Sequence, residues 1–430
     1  MSHRVLIAGG GFAGLYAAQS LRSESIDLTL IDRRNFHLFQ PLLYQVATGG
    51  LSPGEIASPL RSILSRQKNT RVLLGEIVDI DVTAREVILS DHSRIPYDTL
   101  IVATGATHHY FGHPEWAAYA PGLKTIEDAT EIRTRVLLAY ERAEKTADPD
   151  ERAALMTFVV VGGGPTGVEL AGALGEISRD TLREDFRNIN PAEARIFIIE
   201  SADHLLQAFP NGLSASAEVS LIQLGVRTLA STRVNGIDAT GVTMQTAQGE
   251  VRIATRTVLW AAGVQASPLG KILAARTGVQ LDPAGRIIVD STLGIPGHPE
   301  ILVAGDLARI VQDGTQVPGV APAAMQQGRY AARLISARLQ GRPVVPFRYR
   351  DKGSLATIGR HRAVAAIGRF RFSGYFAWLL WLFIHLLYIV EFESRLLIAI
   401  QWAYSYITFN RGARLITGNQ PDPTFSATPK

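Results

Sequence analysis

The strongest constraint on this chain is a motif that occurs twice. Residues 4–14 read RVLIAGGGFAG, an apolar run opening into G-x-G-x-x-G at Gly9, Gly11 and Gly14. Residues 158–167, FVVVGGGPTG, repeat the pattern at Gly162, Gly164 and Gly167, with Pro165 and Thr166 between the last two. One glycine-rich turn says little on its own. Here each copy follows a buried-strand run and precedes a helix-like segment, so the chain is expected to hold two dinucleotides face to face.

Each glycine in the motif has a task. The first makes the strand-to-helix turn, the second lets backbone amides approach a pyrophosphate, and the third lets helix and strand pack closely. A carboxylate should follow at the end of the next strand to take ribose hydroxyls. The first copy supplies Asp32, ending the apolar run LTLID, and the second supplies Glu200, ending RIFIIE. The second spacing is longer, which predicts an insertion around residues 179–194. Glu200 is followed by Ser201 and Ala202 with no arginine, a pattern favouring NADH, because the carboxylate repels a 2′-phosphate.

Two further strand-to-small-residue crossings appear at YDTLIVATG (97–105) and TVLWAAG (257–263), and EILVAGD (300–306) ends in Asp306, placed to accept bonds from ribityl hydroxyls. Phe12 and Ala13 in the first loop, Arg33 beside the first acid, and Thr104, Gly105 and Gly263 at the crossings complete these expected cofactor contacts. The set resembles the two-dinucleotide-domain flavoprotein superfamily. That resemblance implies FAD on the first motif and NADH on the inserted second one.

The chain of 430 residues has no cysteine. Thiol-dependent disulfide reductases, sulfenic-acid peroxidases and sulfide-oxidising quinone reductases are therefore excluded on chemistry, as are cysteine-based metal and iron–sulfur sites. His37, His108, His109 and His113 lack metal-like spacing and read as hydrogen-bonded structural groups. The first strand starts at Arg4, leaving no room for a leader peptide, so the coenzyme side is expected in the compartment of synthesis.

The C-terminal part differs from the rest. Residues 374–390 read GYFAWLLWLFIHLLYIV, and a second apolar run covers 396–409. The first run has 17 residues and the second 14, both below the ~20 that span a bilayer core. In the second, Gln401, Ser405 and Thr408 recur at helical spacing as a polar face. Tryptophan and tyrosine recur in both, as at a headgroup level. Residues 342–371 carry eight cations (Arg342, Arg348, Arg350, Lys352, Arg360, Arg362, Arg369, Arg371) against Asp351 alone. This reads as an interfacial anchor on an anionic lipid surface, with a transmembrane hairpin and a buried dimerisation core as alternatives. The formal net charge of +4 agrees with it. A basic surface also suits nucleic acid, but no recognition module is apparent, so no nucleic-acid partner is expected. Residues 419–430 read as a loose tail.

At FHLFQPLLYQVA (36–47) the resemblance narrows. With GATH (105–108), YFGH (110–113), AMQQG (324–328) and RGARL (411–415), it is similar to the flavin-side and C-terminal signatures of the type II, non-proton-pumping NADH:quinone oxidoreductases. The resemblance covers nearly the whole chain. It implies hydride transfer from NADH to FAD, then two electrons to a membrane quinone. It also implies a homodimer attached peripherally to the cytoplasmic face of the inner (cell) membrane. Glu169 matches a family carboxylate near the flavin, positioned for nicotinamide or for proton relay; a helix-start acid favoured by the dipole is the alternative. Gln326 matches a glutamine of the quinone-site motif and is also expected at the cofactor. The earlier glutamine of that motif is Pro322 here. Lys352 matches a lysine near the quinone tunnel and equally suits a solvated charge. Tyr44 and Gln45 are expected to line the tunnel, Gln45 also touching cofactor.

The expected class is therefore α/β: two Rossmann-like dinucleotide-binding domains, an FAD domain with an inserted NADH domain, plus a C-terminal α-helical membrane-associated segment. The expected ranges are 1–115 and 290–345 for FAD, 116–289 for NADH with a helical connector at 126–145, and 346–430 for the membrane and dimer segment. A soluble NADH-dependent flavin reductase serving a protein carrier shares both nucleotide domains and lacks a reason for residues 374–409. A slowly turning redox-regulated binding protein is the non-enzyme alternative.

Overall fold

The computed structural model describes residues 2–23, 25–390, 392–408 and 411–417; the expected tail at 419–430 lies outside them. The chain divides into two compact units. The first comprises Met1–Leu38, Ala57–Thr107 and Val264–Lys352, and the second Phe39–Ile56, His108–Gly263 and Gly353–Lys430. Helices α1 (Phe12–Ser20), α2 (Leu43–Ala47), α3 (Ile126–Lys145), α4 (Pro165–Glu176), α5 (Ala321–Leu339), α6 (Tyr375–Tyr388) and α7 (Phe392–Thr408) organise the functional parts.

The first unit is built on a six-stranded sheet. His3–Ala8 lies at its centre, parallel to Ile26–Asp32 on one side and Thr99–Val102 on the other. Thr70–Leu74 and His298–Val303 extend it in parallel, and Gly294–Ile295 closes one edge antiparallel. Strands covered on both faces read as continuous apolar runs, and Val5–Ala8, Leu100–Val102 and Ile301–Val303 are all buried. Helix α5 crosses α1 closely because Gly328 carries no Cβ; one would meet the Ala13 carbonyl oxygen at 2.1 Å.

The second unit repeats the scheme with four parallel strands, in the order Val226–Leu229, Arg195–Ile199, Thr157–Val161, Thr257–Trp260. The residues after α4 form an excursion, as the long spacing to Glu200 implied: Ile177–Thr181 continues as a π-turn, and the Glu144 carboxylate accepts the backbone N–H groups of Arg187, Asn188 and Ile189. Helix α3, the expected connector, is capped by Thr125, whose hydroxyl accepts the Asp128 N–H while Asp128 accepts the Thr125 N–H.

The division differs from the sequence reading, and the segment expected on its own at 346–430 joins the second unit from Gly353. Residues 39–56 belong to the second unit, because α2 packs on α3 and α4. The chain also returns to the first unit at Val264 rather than near 290. Helix Leu269–Thr277 packs on strand Ile77–Asp81, and Arg276 pairs with Asp79.

The C-terminal part adds an antiparallel sheet, Ser354–Thr357, Ala363–Ile367 and Phe370–Gly374, which leads into α6 and α7. Ala377 and Trp381 of α6 face inward, whereas Phe376, Leu379, Phe383 and Leu387 form an exposed row. On α7, Ser394 and Ile398 are buried while Leu396, Leu397, Ile400 and Tyr404 are exposed. No helix among the described residues is long and apolar enough to cross a membrane. Helix α6 has 14 residues, roughly 21 Å at 1.5 Å per residue, short of a ~30 Å hydrocarbon core. The basic stretch is not one face. Arg360 turns inward, its N–H bonding Glu176 and its guanidinium Ser405, and Arg362 bonds Gln223. Those two cations have protein acceptors and are not free for lipid.

Candidate active site

The two fingerprints fold alike because the same steric demands act on both. Gly9 and Gly162 take positive φ, 104° and 109°, and a Cβ at either would strike the neighbouring strand's end, Ala103 or Ala261. A Cβ on Gly14 would lie 1.8 Å from the Gly9 oxygen, and one on Gly167 1.9 Å from that of Gly162. At Gly11 and Gly164, the helix N-caps, there is open space and no side chain caps the first N–H groups. Pro165 and Thr166 open α4, both exposed. The acids are placed identically. Asp32 accepts the Gly10 N–H at 2.5 Å, and Glu200 accepts that of Gly163 at 2.7 Å. Burial pushes the Asp32 carboxyl upward against the backbone donors of Gly10 and Arg34. Each carboxylate keeps lone pairs for hydroxyls.

In the first unit the residues around this loop fit a flavin dinucleotide. Ala13, Ala103, Ala304 and Ala324 form a floor of small side chains beside Phe12. The Thr104 hydroxyl is buried without a hydrogen-bond partner, the state of a group awaiting a ligand. Gly105 is at φ 69°, and its carbonyl accepts the Ser267 N–H. Arg33 is exposed and Asp306 half-buried beside Gly319. His37, 2% exposed, bonds the Gly10 carbonyl at 2.9 Å and meets Phe12 edge-on. Burial lowers its pKa to about 4, so it is neutral. Gln327 was not anticipated; buried beside Gln326, it accepts the Gly305 N–H at 2.5 Å.

The same unit holds Gln326 and Lys352. Both ends of the Gln326 amide are committed to the Arg350 backbone, each at 2.9 Å. Gln326 is therefore a brace for the segment that leads to Lys352, which is exposed. The catalytic and cofactor roles expected for Gln326 compete with that bonding.

The second unit gathers Glu169, Tyr44 and Gln45. Trp402 donates its indole N–H to Gln45 Oε1 at 2.8 Å, and Gln45 Nε2 donates to the Tyr44 hydroxyl at 2.9 Å. Indole is a donor only, so this fixes the Gln45 amide orientation and leaves the Tyr44 hydroxyl proton for a third partner. Tyr44 is 7% exposed and meets the Trp381 ring at 6.4 Å. Burial, then the nearby Glu169 carboxyl, pushes the Tyr44 pKa well up.

Glu169 lies on the second turn of α4. The Thr357 N–H approaches its Oε1 at 3.4 Å. The buried Trp381 indole N–H is turned toward its carboxyl without closing a hydrogen bond. The residue is half-buried, and desolvation dominates and pushes its pKa up to about 8. His385 stacks on Trp381 at 4.1 Å and bonds the Trp381 carbonyl, and burial lowers its pKa to about 4. The site thus holds a protonated acid, a free phenolic proton and an uncharged imidazole among aromatic rings.

The other expected residues sit apart from this cluster. Gly263, at φ 67°, is covered by the Phe111 ring, and its carbonyl accepts the His109 N–H. His108 pairs with Asp128 and His113 with Glu115, each at 3.0 Å. Among the described residues no His, Cys, Asp or Glu group is placed to hold a metal. The buried pair Glu176–Arg411 at 2.6 Å was not anticipated either; Arg411 stands in the RGARL signature, but the partners are separated by too much chain for any pattern to join them.

Two family descriptions match this chain: "Pyridine nucleotide-disulphide oxidoreductase" over residues 3–328 and "NDH2 C-terminal domain" over 352–411. It is 45% identical over 425 residues to the type II NADH:quinone oxidoreductase Ndh of Mycobacterium tuberculosis, covering 97% of this chain and 91% of that protein. To NdhA of the same organism it is 46% identical over 424 residues, covering 96% and 89%. In fold it resembles NDH2 of Plasmodium falciparum solved with RYL-552, at TM-score 0.88 and 21% identity, covering 97% of this chain and 100% of that one. By these matches the chain belongs to the type II NADH:quinone oxidoreductase family, FAD flavoproteins that use NADH.

Proposed function

We propose that quinone is reduced beside Glu169, Tyr44 and Gln45 of the second unit, in electron transfer from NADH that does not pump protons. FAD, when bound, supplies the two-electron carrier between NADH and quinone. In this reading the loop at Gly9, Gly11 and Gly14 with Phe12 and Ala13 holds its pyrophosphate, Asp32 and Arg33 its adenosine end, Asp306 its ribityl hydroxyls, and Thr104 and Gly105 its ring. Gly162, Gly164, Pro165, Thr166 and Gly167 hold the NADH pyrophosphate, Glu200 its ribose, and Gly263 borders the nicotinamide end.

Quinone takes up two protons with two electrons. Glu169 holds one on its carboxyl at neutral pH, and the Tyr44 hydroxyl, oriented through Gln45 and Trp402, donates a hydrogen bond to a quinone carbonyl. Water supplies the second proton. In the first unit Gln326 braces the segment that carries Lys352, and a quinone role for either residue rests on the family resemblance. The observation that carries the reading is the Glu169 carboxyl, kept protonated by burial next to a phenol with a free proton.

The outward rows of α6 and α7, with exposed Phe370 between Arg369 and Arg371, support attachment to an anionic lipid surface. A homodimer on the cytoplasmic face of the cell membrane is proposed on the family resemblance. The test is anaerobic stopped-flow: reduce the flavin with NADH, then mix with a short-chain quinone. Reoxidation much faster than by oxygen is expected; flavin that reduces readily and stays reduced overturns the quinone assignment.

A further inference from the structure

We infer that Arg411 is a positioning residue for quinone reduction, setting the register of the two helices that carry Tyr44 and Glu169. The inference rests on the proposed acceptor role of those two side chains. Tyr44 and Thr48 are four residues apart, on one face of α2 and its C-cap; Glu169 and Glu176 are seven apart, on one face of α4. The two helices pack together. One guanidinium spans their far ends: Nη2 bonds Glu176 Oε2 at 2.6 Å, and Nη1 bonds the Thr48 carbonyl at 3.1 Å.

Both ends of this clamp are buried, with 7% of each side chain exposed. A carboxylate at the C-terminal end of α4 opposes the helix dipole, and burial adds a desolvation cost. Such a group persists only with a fitted partner. Arg411 supplies it, with the Arg360 N–H as a second donor. The following residues continue the strap: the Ala413 N–H bonds the Gly49 carbonyl at 3.2 Å, and Arg414 pairs with Asp185. The carbonyls of the α2 C-cap, Thr48, and of Gly49 after it are thus bonded by the chain beyond α7. Tyr44 also feels the charges of Glu176 and Arg411, so the strap lies within electrostatic reach of the acceptor side.

Buried ion pairs exchanged for apolar side chains often leave stability unchanged. That separates positioning from mere support. The double variant Glu176→Met/Arg411→Met and the single Arg411→Lys are compared with the parent protein in the two stopped-flow half-reactions. Flavin reduction by NADH should stay within about two-fold, while reoxidation by quinone slows about 10-fold or more with a raised quinone KM, a misplacement effect. Arg411→Lys should recover part of the loss. Unchanged reoxidation in the folded double variant overturns the inference, and so does an equal loss in both half-reactions. Should the double variant lose its flavin, the same split in Arg411→Lys decides. Glu169→Gln and Tyr44→Phe are run alongside. If they slow reoxidation and the Arg411 variants do not, positioning alone fails; if they do not, the acceptor-site reading fails with it.

Discussion

Glu169→Gln tests the proton-donor assignment through a pH profile. In the parent protein the carboxyl has been moved from an ordinary 4.5 to about 8 by burial. A general acid with that value is about 90% protonated at pH 7 and about 10% at pH 9, so reoxidation by quinone should fall roughly tenfold between them. Glutamine cannot titrate or donate that proton. The variant should lose the alkaline limb and be slower at pH 7 by about 100-fold, the lower range for a general acid. The stability sign follows from the same shift. The unfolded carboxyl ionises near 4.5 and the folded one near 8, so the stability present below 4.5 is lost as pH rises through about 8. At ~1.4 kcal/mol per pH unit the loss is at most roughly 5 kcal/mol, and less for a residue that is half-buried. The thermal midpoint should therefore drop less from pH 5 to pH 9 in the variant than in the parent. The assay is rapid mixing of NADH-reduced protein with quinone across pH 6–10. An alkaline limb that persists at the same midpoint in Glu169→Gln, with the rate at pH 7 within two-fold of the parent, would refute the assignment.

Three further outcomes are expected. Gly167→Ala places a Cβ against the Gly162 carbonyl oxygen and should slow flavin reduction by NADH about 10-fold or more, while absorbance shows flavin retained, since Asp32 and its loop are untouched. Glu200→Ser with Ser201→Arg removes the carboxylate that repels a 2′-phosphate and adds a cation for it; kcat/KM for NADPH relative to NADH should rise by about 100-fold or more. Phe376→Asp with Phe383→Asp puts charge on the exposed row of α6; flotation with anionic vesicles should fall sharply while flavin reduction by NADH is kept, and unchanged flotation would remove α6 from the membrane surface.

Legibility along the chain followed interaction range. The glycines, the strand before each, and Asp32 and Glu200 were readable because backbone sterics and a short βαβ unit act over a few tens of residues. Tyr44, Gln45 and Glu169 were singled out by resemblance, but nothing local distinguishes the orientation of Gln45, which Trp402 imposes from 357 residues away. Gln326 was read as a quinone ligand, and the structure turns its amide to the Arg350 backbone. Of the basic stretch before α6, the guanidinium groups of Arg360 and Arg362 point at protein acceptors, Ser405 and Gln223, which composition cannot reveal.

Residue type and spacing were enough to show that two dinucleotide cradles would form, that no thiol chemistry was open to this chain, and that residues 374–390 and 396–409 would be apolar and rich in aromatic rings. It is packing that raises the Glu169 carboxyl to about 8, leaves the Tyr44 hydroxyl proton for a third partner, and gives Glu176 its counter-ion in Arg411. Each depends on removing water from a polar group and choosing its one remaining partner. That choice is made by packing between segments hundreds of residues apart, where no periodicity or motif reaches.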